Sequence, residues 1–257
     1  MKVALCSIGK LDLENQNNLK IYIITHKEFT KKVNSNSYET INVRKIDAKL
    51  PLNDKFYSEL YCYKYINNNL ELPEYIGFCH YRRYFSFIDD IPNMGEIFSE
   101  YDAICSKPMV FEESVKKQYA SNHNIEDLYV IGGIIAEKYP EQANMWKNFI
   151  NGNILIPYNM FIMKREYFKE YIDFIFSILD EYLKIVGTDI NKRIYDNYEK
   201  YIKGFYPNNS VEYQYRIGGY LGERLTNVFI MTHFKKVKTY PVIVTEDKYN
   251  QSKKDNP

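Results

Sequence analysis

Short apolar runs alternate with longer stretches of helical periodicity along this chain, and that alternation restricts it to sheets layered with helices. The strand-like runs are Lys2 to Ile8, Leu19 to Thr25, Tyr75 to Cys79, Tyr101 to Cys105, Asn159 to Met163 and Thr239 to Val244. Between them, a helix is predicted from Asn53 or Asp54 to about Asn67, then over Glu126 to Tyr139, Glu141 to Ile150 and Val211 to Met231. The pair Gly132-Gly133 weakens the second of these. The clearest amphipathic helix runs from Glu166 to Lys184, with Phe168, Tyr171, Ile172, Ile175, Leu179 and Tyr182 on one stripe that reads as core. The expected fold is α/β, with a mainly parallel central sheet flanked by helices, and such sheets bind ligands at the carboxyl ends of their strands.

Composition removes several function classes. A net charge of +1 provides no global field for nucleic acid or an anionic membrane, so any anion must be held locally. Cys6, Cys62, Cys79 and Cys105 contain no CxxC pair, which argues against a zinc site or a disulfide framework and fits a reducing cytoplasm. The opening MKVALCSIGK lacks the long apolar region of a signal peptide. No stretch reaches the roughly 18 to 20 apolar residues of a membrane span. Tyrosine occurs 26 times, which suits sugar or base contacts but equally suits A/T-rich coding, since Ile, Lys and Asn are abundant too.

The segment Glu74-Tyr-Ile-Gly-Phe-Cys-His-Tyr-Arg-Arg-Tyr-Phe85 concentrates the chemistry, because a buried strand runs straight into His80, Arg82 and Arg83. Guanidinium forks match phosphate oxygens, so these residues can grip a diphosphate, or one Arg can pair with a core carboxylate while the other is solvated. Glu223 lies among Gly218, Gly219 and Gly222, whose bare backbone permits close approach to a ligand. It is a candidate for taking the acceptor proton, or for a salt bridge with Arg216 or Arg224. Asp89 and Asp90 are weaker candidates as base or metal ligands, or are loop-tip charges before Pro92. His123, in the turn Ser121-Asn122-His123-Asn124, either contacts a sugar or is solvated, and Asn159 either contacts a sugar hydroxyl or caps a turn after Pro157. His233 opens a basic stretch read as a solvated face.

The run Tyr-Ile-Gly-Phe-Cys-His80-Tyr-Arg82-Arg83-Tyr-Phe resembles the signature of a family, long labelled as of unknown function, found in bacterial capsule and O-antigen gene clusters. Further blocks support the resemblance: Ile-Thr25-His26-Lys27, Glu59-Leu60, Asn159 to Met163, and Arg216 with Gly219, Tyr220, Glu223, Arg224 and Leu225. It implies a glycosyltransferase with a single nucleotide-binding domain of the GT-A type, here residues 19–246, followed by a polar tail, 247–257. Thr25, His26, Lys27, Glu59, His80, Arg82 and Arg83 would then hold a nucleotide-sugar donor, uridine-linked by expectation, while His123, Asn159, Arg216 and Tyr220 meet the sugars. The acceptor would be a capsular, O-antigen or lipooligosaccharide glycan, reached in the cytoplasm at the inner face of the membrane. Two alternatives are transfer of another nucleotide-activated group and a non-catalytic nucleotide-binding protein of capsule assembly. Residues 1–18 precede the usual family start and form either an extra edge strand or a relic of rearrangement. The GT-A fold usually holds Mn2+ or Mg2+ with an Asp-x-Asp, which this chain lacks, leaving metal dependence open.

Overall fold

The computed structural model describes residues 2–6, 20–25, 38–42, 54–80, 83–87, 92–187, 189–199 and 210–244. The central sheet contains β1 (Lys2–Cys6), β2 (Lys20–Thr25), β3 (Tyr38–Asn42), β4 (Tyr75–His80), β6 (Ala103–Ser106), β9 (Phe161–Lys164) and β10 (Val237–Tyr240), in the order β10-β6-β9-β4-β1-β2-β3. Every strand on this path runs the same way except β9, which is antiparallel to both β4 and β6. His80, Ser106, Tyr240 and the backbone of Thr25 therefore end at one edge. The short strands β5 (Arg83–Phe85) and β11 (Val242–Val244) pair with each other there, and Arg83 lies opposite His80. A separate two-stranded sheet joins β7 (Met109–Val110) to β8 (Ile154–Leu155).

The amino-terminal run is not at an edge. β1 is bonded to β2 on one side and β4 on the other, an interior place that suits the unbroken apolar Val3-Ala4-Leu5.

Alternation along the strands builds two cores. Ile76, Phe78, Ala103, Cys105, Phe161 and Met163 face one side, while Cys79, Ile104, Met160 and Ile162 face the other. The helices in chain order are α1 (Asp54–Tyr57), α2 (Leu60–Asn69), α3 (Met94–Glu100), α4 (Val115–Ala120), α5 (Glu126–Lys138), α6 (Ala143–Asn151), α7 (Arg165–Val186), α8 (Ile190–Asn197), α9 (Val211–Gln214) and α10 (Ile217–His233). The predicted stripe of α7 is buried throughout, with Phe168, Tyr171, Ile175, Leu179 and Tyr182 fully enclosed. The helix predicted over 53–67 is interrupted at Ser58, and that over 211–231 at Tyr215 and Arg216.

Gly218, Gly219 and Gly222 serve packing rather than ligand approach. A Cβ would lie 2.6 Å from the Phe56 carbonyl oxygen at Gly218, 2.9 Å from Ser58 Cβ at Gly219 and 2.3 Å from Leu60 Cδ1 at Gly222. Their bare faces let α10 settle directly on the α1–α2 junction. Gly218→Ala gains about 1 kcal/mol of helix propensity. It must also displace the Phe56 backbone, so urea unfolding is expected to show a net loss of about 1–3 kcal/mol. In α5, a Cβ at Gly132 would lie 2.9 Å from Trp146 Nε1, whereas one at Gly133 meets nothing within 4 Å. Gly133→Ala is accordingly expected to stabilise by about 0.5–1 kcal/mol in the same assay.

Candidate active site at the carboxyl edge

Among the described residues, only Ser58, Tyr158 and Asn159 combine a side chain with positive φ, at 51°, 79° and 52°. All three meet at the mouth of β4. Left-handed backbone costs energy for L residues and persists where surrounding contacts over-determine it, often at functional sites.

Side chains supply those contacts to the loop between β8 and β9. Asn227 on α10 accepts the Ile156 N–H at 2.7 Å and donates to the Ile156 carbonyl at 2.9 Å. Ser106 donates to the Pro157 carbonyl at 2.7 Å. Glu223 Oε1 accepts the Tyr158 N–H at 2.6 Å, and His80 Nε2 donates to the Tyr158 carbonyl at 2.5 Å. Thr226 donates to Asn159 Oδ1 at 2.8 Å. Glu223, Thr226 and Asn227 fall on one face of α10 because three- and four-residue spacings share a helical face.

Glu59 lies on the other side of this loop. Its Oε1 accepts from Asn159 Nδ2 at 2.8 Å and is 4.0 Å from His80 Nε2. Its Oε2 is 3.8 Å from Arg216 Nη2, and Arg216 also directs Nε and Nη2 onto Ser58 Oγ at 3.1 and 3.0 Å. Burial alone would raise the Glu59 pKa, but His80 and the hydrogen bonds from Ser58 and Asn159 outweigh it and hold the carboxyl below its usual range. Arg216 is half exposed, so this charged pair reaches the surface.

Arg83 completes the cluster. Its guanidinium lies over the Tyr158 ring, 4.5 Å from the centroid, and its buried Nε has no hydrogen-bond partner among the described residues. A buried donor without a partner calls for a reason, and at a strand mouth an anion supplies one. His80 Nε2 is committed to the Tyr158 carbonyl, so this nitrogen supports the loop and is not spare for a phosphate.

Other predicted residues are placed differently. Glu223 is occupied as a strut, with Oε2 on the buried Arg224 Nη1 at 2.8 Å, the salt bridge named as its alternative role. Asn159 is buried and ties the loop to Glu59 and Thr226 instead of presenting its amide outward. His123 is neither solvated nor open to a sugar. It is buried, its Nδ1 donates to Gln214 Oε1 at 3.1 Å, and its ring packs against Tyr119, Tyr213 and Tyr220. Tyr220 belongs to the same aromatic group, 4.8 Å from Tyr213. His26, Lys27, Arg82, Asp89 and Asp90 lie outside the described residues, as does the side chain of Thr25. Among the described residues no group of three or more His, Cys, Asp or Glu side chains converges as a metal site requires, so none of them is assigned to a divalent cation.

Burial, with Arg224 nearby, pushes His123 down to about 3, so the folded protein keeps it neutral. An unfolded histidine binds a proton below about 6.5. Stability is therefore present above that pH and is lost as pH falls towards 3, at up to about 1.4 kcal/mol per pH unit. His123→Phe is expected to flatten the dependence of unfolding free energy on pH across this window, measured by urea titration.

A mixed α/β sheet with helices on both faces gathers this polar cluster at the carboxyl ends of its strands, where open α/β sheets bind ligands. The apo structure of WbbM, a bifunctional glycosyltransferase, superposes with a TM-score of 0.63 at 18% identity, over 96% of this chain and 45% of that one. The chain thus spans less than half the length of that protein, and the likeness establishes the fold. Residues 20–209 match the family described as a domain of unknown function, DUF4422, and the chain belongs to that family. No curated protein matches it. Among the described residues, no helix is long and apolar enough to cross a membrane.

Proposed function

We propose that the chain is a glycosyltransferase that moves a sugar from a uridine-linked nucleotide donor onto a capsular, O-antigen or lipooligosaccharide acceptor. The observation that carries this reading is Arg83, whose buried, unpartnered Nε lies at a strand mouth in a fold shared with a solved glycosyltransferase. As the bond from the anomeric carbon to the diphosphate breaks, negative charge grows on the leaving nucleoside diphosphate. Cationic donors fixed beforehand stabilise that charge without reorganising. Arg83 takes this role, and by their places in the sequence Arg82 and Lys27 are assigned to the diphosphate with it and Thr25 and His26 to the nucleotide. Glu59 accepts from sugar hydroxyls and Arg216 donates to them, each held in place by Ser58.

The test is a panel of nucleotide-sugars and cytidine-activated alcohols incubated with the chain and glycan acceptors, with nucleotide release and glycan mass followed together. Uridine diphosphate release with a gain of one sugar is expected. Turnover of the cytidine-activated alcohols alone, or nucleotide binding with no release, contradicts the proposal.

A further inference from the structure

We infer that Tyr158 is a positioning residue whose ring sets the plane of the Arg83 guanidinium and leaves its in-plane N–H fork for the donor diphosphate. The inference rests on the function proposed above. A loop that only joined β8 to β9 would place glycine at a left-handed position, since glycine adopts it without strain. Here a bulky aromatic residue occupies it at φ 79°, a genuine outlier for such a side chain.

The conformation is held from both ends of the residue. Glu223 takes the Tyr158 N–H at 2.6 Å and His80 the Tyr158 carbonyl at 2.5 Å, while Ser106 fixes the preceding carbonyl at 2.7 Å. These contacts bring the ring 4.5 Å beneath the Arg83 guanidinium carbon. Stacking of a guanidinium on an aromatic face uses the π surface and leaves the N–H groups in the guanidinium plane available for phosphate. The buried, unpartnered Nε is one of those groups. The strain at Tyr158, the strut from Glu223 and the spare donor on Arg83 therefore share one explanation.

The experiment measures uridine diphosphate affinity by calorimetry, and kcat and KM for transfer, in Tyr158→Phe, Tyr158→Leu and Tyr158→Gly, each also combined with Arg83→Ala. Phe keeps the aromatic face and is expected to match the unsubstituted protein within about twofold. Leu and Gly are each expected to weaken nucleotide affinity by about tenfold, and Gly does so while keeping the left-handed turn without strain. In the Arg83→Ala background neither is expected to cause further loss, because the partner it orients is gone. Unchanged affinity in Leu and Gly overturns the inference while leaving the proposed function standing. An equal loss in both backgrounds also overturns it, by showing that the ring acts through general structure. If the unsubstituted protein neither binds uridine diphosphate nor releases it from any donor, the proposed function fails and this role fails with it.

Discussion

Arg83→Ala is expected to lower transfer by about three orders of magnitude, about 4 kcal/mol of barrier, with little change in folding stability. Loss of one preorganised donor at a developing charge has an effect of this size because the site is partly shielded from water and the donor needs no rearrangement. Stability responds differently. Among the described residues Arg83 Nε makes no hydrogen bond, and the guanidinium lies over the Tyr158 ring. Removing a buried, unsatisfied donor relieves a desolvation cost of about 1–3 kcal/mol, which offsets the lost stacking of about 1 kcal/mol. Steady-state transfer and urea unfolding on the same preparation check the two halves. A variant that unfolds easily, or one that turns over normally, contradicts the assignment.

The largest stability effect is expected at Asp127, far from the proposed chemistry. This carboxylate is fully buried and accepts hydrogen bonds from Tyr182 at 2.6 Å, Tyr119 at 3.3 Å and Arg193 Nη1 at 3.1 Å. Arg193 also donates to the Tyr182 hydroxyl at 3.0 Å. Desolvation works against the charge and raises the Asp127 pKa, although Tyr182 and Arg193 partly compensate. Such a pair contributes little over a well-packed apolar substitute, yet removing one partner strands the other. Asp127→Ala leaves a guanidinium and two phenols without their acceptor, and denaturant unfolding is expected to show a loss of about 3–5 kcal/mol. Replacing Asp127 and Arg193 together by apolar residues is expected to recover much of it. Single and double variants of equal stability contradict this account.

The layers of the fold were legible because their signals are local and repeated. The α7 stripe recurs at helical spacing, and the strand at Tyr75–His80 stands between a proline and a charged run. At the mouth, β5 was missed because a three-residue pairing arises from tertiary contact and carries no periodicity, and the run read as one strand over Thr239 to Val244 divides at Pro241 into the end of β10 and β11. The helix broken at Ser58 was missed for a related reason: serine is an ordinary residue, and its left-handed backbone is imposed by the approach of α10 over Gly218 and Gly219. In the candidate site, the strand running into His80 and Arg83 was readable from residue types alone. The roles of Glu223, Thr226 and Asn227 were not, since their partners lie 65 to 71 positions away in the loop they support. Their spacing on one helical face was the available signal, and it pointed to a shared target without naming it. His123 was misread because the turn around it is polar in sequence, whereas Tyr119, Tyr213 and Tyr220 enclose it from elements on either side.

A crystal of the protein soaked with uridine diphosphate and manganese decides whether Arg83 holds the diphosphate. Pyrophosphate oxygens are expected at hydrogen-bonding distance, roughly 3 Å, from Arg83 Nε, with the guanidinium still over the Tyr158 ring. A nucleotide bound away from the mouth of β4, or an Arg83 side chain turned inward onto an acidic neighbour with no nucleotide near it, would contradict that role.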